Sequence, residues 1–405
     1  MVVDRVTVSL DLESEKIEVG ELVQNGRQIH FKYYPSFLQY KLNISPIKIP
    51  TAEKVYTAEW KPFDGLYGVF NDSLPDGWGR LLLDRSLVAK GLNPRDLTAL
   101  DRLLYIGNHG MGALTYAPTM EEGYYNNQFR LDTLADEATA ILNGTESALL
   151  EELFTIGGSS GGARPKVFVG YNQRNGDIIY GEQSLPEGYE HWIIKFPSSF
   201  DRPDIANIEY AYHLMAKQAG IDMTECRLFT SETGRQFFGT RRFDRKGDNR
   251  FHVHSASGIM HDDFRYSQLD YGHLMDCAFR LEKHVGAYEK VLRLAAFNVM
   301  AHNRDDHSKN FSFLMDRKGK WRFSPAYDLT YSSSGHGQHS TLVNNEGKHP
   351  TREHLLGLAK IFSVKKAQDI LDQVAEAIGK WEEFAAEAMV SEASYEETQR
   401  SVVPL

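Results

Sequence analysis

An α+β fold in two lobes, the first strand-rich and the second helical, with an extra α/β subdomain in front, is what this sequence predicts. Between about 150 and 245, short β-forming runs succeed one another (KVFVGY, DIIYG, HWIIKF, CRLFT, QFFGTRRF) with a single helical interruption. After 250 the pattern turns mostly helical. Within that half, AHNRDDHSKNFSFL (301–314) places four residues between Asp305 and Asn310, and Asp328 follows in PAYDLT. An Asp that deprotonates an attacking hydroxyl, then an Asn and a downstream Asp that hold metal, is the order of a protein-kinase-like catalytic loop. A polar helix-capping loop would use the same residue types.

Residues 1–149 are expected to form the leading subdomain. DRVTVSL (4–10) and QIHFKYY (28–34) alternate or cluster β-formers and read as strands of a small sheet. SLPDGWGRLLLDRSLVAKG reads as a helix, with Pro75 and Asp76 at its start, Trp78, Leu82 and Val88 along one stripe, and Gly91 as the stop. Residues 118–146 are polar and acidic with one helix, and a boundary falls near 150. The strand-rich lobe should span 150–246, its helix at about 205–219 lining up Ile208, Tyr212, Met215 and Ala219 ahead of Gly220. The helical lobe takes 247–405. A long helix around 285–302 leads into the Asp305 loop, and another at about 364–390 aligns Ile370, Leu371, Val374, Ile378, Trp381 and Phe384.

Composition narrows the function. A chain of 405 residues is long for one core, and 41% apolar with 12% aromatic residues belongs to a packed globular protein. A formal charge of −10 speaks against a basic nucleic-acid surface but leaves room for a local nucleotide site. The N-terminus carries acids early and does not read as a signal peptide, and no segment approaches the ~20 apolar residues of a membrane span. Cys226 and Cys277 stand in apolar surroundings and read as buried thiols of a reducing, cytoplasmic compartment. His252 and His254 alternate on a strand, and His302 and His307 fall off one helical face, so the histidines read as scattered polar residues rather than a zinc site.

Three further stretches carry chemistry. TIGGSSGGARPK (155–166) is a glycine-rich turn entering a strand. Its Gly157, Gly158, Gly161 and Gly162 let backbone N–H groups approach phosphates, and Arg164 and Lys166 add charge. It does not fit the Walker pattern, and a flexible hinge between domains is the plainer alternative. Lys195, inside the apolar strand HWIIKFP, either snorkels to an edge or meets an anion in a cleft, as a kinase strand lysine does. Glu209 on the following helix is placed to pair with it, though a solvated helix face would serve as well. GTRRFDR (239–245) lies where a kinase hinge presents main chain to adenine, and otherwise reads as a basic turn.

In this order, the motifs resemble the HipA-type serine/threonine kinases, the toxins of bacterial HipBA toxin–antitoxin modules, over nearly the whole chain. GVFNDSLPDGWGRLLLDR and GNHGMGALTYAP resemble their N-terminal subdomain; SSGGARPK, IIKFPS, NIEYAYHLMAKQAGI, RRFDR, NRDDHSKNFSFL and SPAYDLT resemble the kinase core; STLVNNEGKHPTREHLLGLA resembles the helical region. The resemblance implies ATP and Mg2+, with Asp305 as catalytic base and Asn310 and Asp328 as metal ligands. Gly161, Gly162, Ala163, Arg164, Pro165 and Lys166 would wrap the phosphates and Lys195 would contact them. Arg241, Arg242 and Phe243 would form the hinge, with His307, Ser308, Lys309 and Tyr327 completing the pocket. Ser159 matches a loop serine that some members autophosphorylate. Arg164-Pro165 departs from the Gln-Glu of the best-known toxin, and Leu329 follows Asp328 where eukaryotic kinases have Phe-Gly.

The resemblance also implies partners: a HipB-type helix-turn-helix antitoxin, operator DNA only through that antitoxin, and a protein substrate such as an aminoacyl-tRNA synthetase. No membrane is involved. An antitoxin-binding co-repressor with little kinase activity, or a small-molecule or lipid kinase, would share much of this pattern.

Overall fold

The computed structural model describes residues 3–13, 15–120, 129–181, 184–334 and 337–405. Its leading sheet is antiparallel, built from β1 (Arg5–Leu12), β2 (Glu15–Asn25), β3 (Gln28–Tyr33), β4 (Val55–Thr57) and β5 (Leu114–Ala117) in the order β4-β3-β2-β1-β5. Val6, Val8, Leu10 and Leu12 alternate inward from β1. The expected strands at 4–10 and 28–34 are β1 and β3, whereas β2 was not expected. Its alternation is broken by a bulge: Val8 faces Gly20 but Ser9 faces Glu18, so the inward set shifts from Ile17 and Val19 to Leu22. Only glycine fits at Gly20, where a Cβ would stand 2.2 Å from the Lys32 carbonyl oxygen.

Between β4 and β5 lie α1 (Gly68–Asn71), α2 (Gly77–Ala89) and α3 (Ala99–Ile106). α2 buries Trp78, Leu82, Leu83 and Leu87, but Val88, expected on that stripe, is 62% exposed. At ten residues beyond Trp78 it is rotated about 80° away. The acidic stretch 118–146 contributes α4 (Leu131–Leu142), while its residues 121–128 lie outside the described residues. α5 (Leu150–Gly157) runs straight into the glycine turn and was not expected.

All five strands expected for the first lobe are present: β6 (Lys166–Tyr171), β7 (Ile178–Tyr180), β8 (Glu190–Lys195), β9 (Cys226–Thr230) and β10 (Gln236–Arg241), in the antiparallel order β7-β6-β8-β10-β9. α6 (Ile205–Gln218) connects β8 to β9. Trp78 and Leu82 of α2 and Leu134 and Ala138 of α4 share one apolar cluster with Val167, Trp192, Ile194 and Phe229 of this sheet. The leading sheet instead shares its core with the helical lobe. The N-terminal residues therefore grip both lobes.

A ribbon, β11 (Arg245–Lys246) with β12 (Asn249–Arg250), marks the passage to the second lobe. There β13 (His252–Ser255), β14 (Ser312–Met315) and β15 (Trp321–Phe323) form a small sheet among α7 (Ala256–Met260), α8 (Tyr271–Glu282), α9 (Gly286–Met300) and α10 (Arg352–Ile361). The single helix expected over about 364–390 is in fact two, α11 (Ala367–Ile378) and α12 (Trp381–Glu387), followed by α13 (Glu392–Thr398). Gly379, a weak helix former, lets the turn tighten so that Lys380 N–H donates to Ala377 at 3.1 Å and the chain restarts at Trp381. The apolar stripe survives the break, with Ile370, Leu371, Val374, Ile378 and Trp381 all buried.

His252 and His254 act as buried polar ties between subdomains. Both are fully buried; His252 Nε2 meets the Ile44 carbonyl at 2.8 Å, and His254 lies between Ser45 (3.0 Å) and Asp72 (2.6 Å), joining the leading subdomain to the helical lobe. Cys226 and Cys277 are buried free thiols. Among the described residues no helix is long and apolar enough to cross a membrane.

Candidate active site

The cleft between the lobes is organised by one ammonium group. Lys195, at the end of β8, is buried and bonds to the carboxylates of both Glu209 on α6 and Asp328 from the second lobe. α6 lies against β10 and β9, which brings Glu209, itself 3% exposed, under the strand. Burial works against the charge of Lys195, but Asp328 and Glu209 more than offset it and hold the amine above its usual range. Burial likewise opposes the Asp328 carboxylate, and Lys195 with Lys166 and Arg164 keeps it well below the usual carboxylate range. Asp328 has φ +52, a left-handed backbone that a short polar residue tolerates and that local packing must enforce.

Adjacent aspartates in the catalytic-loop candidate have different surroundings. Asp306 is 1% exposed and accepts from Tyr271 Oη (2.8 Å), Ser340 N–H (2.8 Å) and His339 Nδ1 (3.0 Å), which pins the loop to residues 339–341. Asp305 keeps 60% of its side chain open, with His307 Nε2 at 3.9 Å from Oδ1. Its carboxyl is nonetheless raised, first by the protein that surrounds its closed side and then by Asp328 and Asp306, with His307 pulling the other way. Of the two, Asp305 has the carboxyl open to a ligand, while that of Asp306 is enclosed. Asn310 Nδ2 donates to the Asp305 carbonyl at 2.8 Å, which leaves its Oδ1 as an acceptor.

Other residues expected in the pocket are spread more widely. Ser308 is fully buried with its hydroxyl on Asp262, so its side chain is turned from the cleft. Tyr327 Oη donates to the Lys309 carbonyl at 2.7 Å and braces the loop, while its ring lies 5.4 Å from that of Phe243 in the hinge candidate. Arg304 reaches away from Asp305, to the carbonyls of Gly337 (2.8 Å) and Lys348 (3.2 Å).

In the glycine turn, Gly161 and Gly162 lie at the tip, Gly162 at φ +86. Ala163 and Pro165 continue it; Phe196 N–H donates to the Pro165 carbonyl at 2.8 Å, which joins the turn to the end of β8. Arg164 is engaged by Asp201 (3.0 Å) and lies 3.5 Å from Glu209. Lys166 is buried and donates to the Gly161 carbonyl; burial lowers its amine, and Lys195 adds to that against the raising pull of Asp328. Ser159 Oγ donates to the His109 carbonyl at 2.7 Å.

The hinge candidate is tied into its surroundings by ion pairs. Arg241 pairs with Glu190 at 2.9 Å. Asp244 is fully buried, receives Arg242 (2.8 Å) and Arg245, and accepts the Gly112 N–H at 2.7 Å, so it ties the hinge to the leading subdomain. Missed in the sequence were Asp76, which accepts from Gly162 N–H and pairs with Lys309, along with Asp201, Asp262 and Asp306. Asp76 was legible only as a helix start. Asp306 was visible only as the second member of an Asp-Asp pair.

The donor set suits a hard cation, since Asp328 is held anionic and Asn310 has a free oxygen. Among the described residues no group of three or more His, Cys, Asp or Glu is assembled for a metal.

Two family profiles match the chain. That of the HipA N-terminal domain covers residues 10–117, and that of the HipA-like C-terminal domain covers 158–382, more than half of the length. Relatives include two Sinorhizobium fredii proteins. "Putative kinase Y4mE" is 28% identical over 77% of this chain and 74% of its own, and "Putative kinase Y4dM" is 24% identical over 80% and 77%. Among solved structures, HipA from a Shewanella oneidensis MR-1 complex of HipA, HipB and operator DNA aligns over 98% of this chain and 96% of its own, with a TM-score of 0.69 at 17% identity. At that identity the likeness establishes the fold, a two-lobed, kinase-like α+β architecture. With both profiles falling in order along one chain that has this fold, the protein belongs to the HipA family.

Proposed function

We propose that this chain is an ATP-dependent serine/threonine protein kinase, and the observation that carries the reading is the Lys195–Glu209–Asp328 constellation. A strand lysine anchored by a helix glutamate and facing a carboxylate of the other lobe is what phosphoryl transfer asks of a cleft, because positioning and charge neutralisation do nearly all the work. Lys195 and the backbone N–H groups of the glycine turn hold the phosphates, and hinge main chain at Arg241 to Phe243 holds the adenine. Asp305 takes the proton of the attacking serine or threonine hydroxyl as its oxygen bonds to the terminal phosphorus and the bridging P–O bond breaks, releasing ADP. Asn310 and Asp328 would hold Mg2+, which neutralises phosphate charge when bound.

The substrate is a protein, and the family resemblance favours a translation component such as an aminoacyl-tRNA synthetase. A helix-turn-helix antitoxin of the HipB type is the partner. The related HipA is found with HipB and operator DNA, and a chain of charge −10 leaves the DNA contact mainly to that partner.

Calorimetry with Mg-ATP tests the role assignment. Asp305→Ala should leave nucleotide affinity within about two-fold, because the base acts on the hydroxyl, and abolish turnover. Asp328→Ala should weaken Mg-ATP about ten-fold or more through loss of a ligand and its charge. Asp305→Ala losing ATP while Asp328→Ala keeps it would invert the assignment.

A further inference from the structure

Asp76 stands just before α2, in the N-cap position with extended backbone (φ −122, ψ 179), where a carboxylate ordinarily caps its own helix. It makes no capping bond. One carboxylate oxygen accepts the Gly162 N–H at the tip of the glycine turn, and the other meets the Lys309 ammonium, one residue before Asn310. The surrounding backbone is fitted to this reach. Trp78 N–H donates to the Gly162 carbonyl at 2.9 Å, and Trp78 Nε1 donates to the Lys166 carbonyl at 3.2 Å. A Cβ at Gly77 would stand 2.4 Å from the Gly162 oxygen, and one at Gly79 2.4 Å from the Ser160 oxygen. Lys309 is also steadied by the Phe264 ring, 5.1 Å from its ammonium. A cavity of about 530 Å³, lined mostly by the leading subdomain, reaches Asp76, Lys309 and Phe264.

We propose that Asp76, supplied by the N-terminal subdomain, is a positioning residue for phosphoryl transfer, fixing Lys309 and the tip of the glycine turn relative to one another; this rests on the kinase reading above. The two groups it holds are a backbone N–H and an ammonium, the donors that a terminal phosphate uses. A carboxylate beside them repels a nucleotide, so it disfavours binding and is useful only through the geometry it imposes. The pairing also keeps Asp76 ionised: burial works against its charge, and Lys309 with the Gly162 N–H holds the carboxyl below the usual range. The N-terminal subdomain is thus part of the catalytic apparatus.

Steady-state Mg-ATP hydrolysis by the full chain, without an acceptor protein, separates this role from a structural one. Asp76→Asn keeps an oxygen for the Gly162 N–H and removes the charge that directs Lys309. It should lower kcat by about ten-fold or more, the scale of a small misplacement of a reacting group, while KM for ATP stays the same or falls and the unfolding midpoint is retained. Lys309→Gln, which breaks the pair without touching the N-terminal subdomain, should show a comparable fall in kcat, and the double variant should be no slower than Lys309→Gln alone. Unchanged kcat in either single variant, or a raised KM with kcat retained, overturns the proposal and leaves the kinase reading standing. A wild-type chain that neither binds nor hydrolyses Mg-ATP overturns the kinase reading, and this proposal with it.

Discussion

Lys166 and Lys195 are register partners, directly opposite one another on β6 and β8, and both are buried. Two ammonium groups so placed repel each other unless carboxylates separate their roles. Lys195 takes Glu209 and Asp328, whereas Lys166 has the Gly161 carbonyl; burial and Lys195 accordingly lower the Lys166 amine. The first is built to stay charged and the second to support the turn. Lys195→Met should cut Mg-ATP hydrolysis at least about 100-fold, a loss of ~2.7 kcal/mol of transition-state stabilisation. Lys166→Met and Glu209→Gln should each cost about ten-fold, the size of one displaced charge contact. Equal losses for the two lysines would show that the sheet does not distinguish them.

Local pattern carried much of the fold into view, and what it missed is long-range. The five strands of the first lobe announce themselves through dense β-branched and aromatic runs bounded by turns. β2 is hidden because the bulge at Val19 shifts its alternation halfway along. Lys195, Asp305 and Asp328 stand out because each is an unusual polar residue in an apolar or tightly spaced setting. Asp76 and Asp244 do not, because their meaning lies in partners 86 and 132 residues away. The buried role of Asp306 depends on Ser340 and Thr341, 34 and 35 residues on, which no spacing rule connects.

Arg164 lies beside Asp201 and Glu209, close enough to the Lys195 network to shape the phosphate site. Arg164→Ala should weaken ATP about ten-fold, the ~1.4 kcal/mol of one charge-assisted contact, and leave adenosine affinity unchanged. Calorimetry with both ligands checks this. Equal losses would mean that the glycine turn is only a hinge.

The Asp244 cluster should set acid stability. Burial opposes its charge, and Arg242 and Arg245 overcome that and hold the carboxyl far below its ordinary value of 3.8. A depressed folded-state value contributes stability that is fully present above the unfolded value and lost as pH falls through the folded one. Asp244→Asn leaves two arginines without their buried carboxylate and should destabilise by about 3–5 kcal/mol at pH 7. The gap from wild type should narrow only below pH 3.8. Urea unfolding at pH 7 and pH 3 reads both values; a gap independent of pH would remove the ion pairs as its cause.

Ser159 sits where a phosphate would be most disruptive. Its hydroxyl donates to the His109 carbonyl of the leading subdomain at 2.7 Å, in a turn whose next residues reach Gly162 and Asp76. A phosphate cannot donate that bond, and it adds about −1.5 to −2 charges beside a carbonyl dipole and the nucleotide phosphates. Glycines on both sides make disorder inexpensive, so the turn should leave the cleft and nucleotide binding should be lost. Ser160, 2% exposed with its hydroxyl on the Gly157 carbonyl at 2.6 Å, should remain unmodified. With the turn closed, Ser159 is held against the leading subdomain rather than offered to Asp305, so transfer should run between molecules and its rate should rise with protein concentration. Incubation with Mg-ATP, followed by peptide mass spectrometry and calorimetry, should find a single phosphate on Ser159 together with lost ATP affinity, and neither in Asp305→Ala. An unmodified turn after prolonged incubation, or a phosphorylated chain that still binds ATP, would remove Ser159 as the switch.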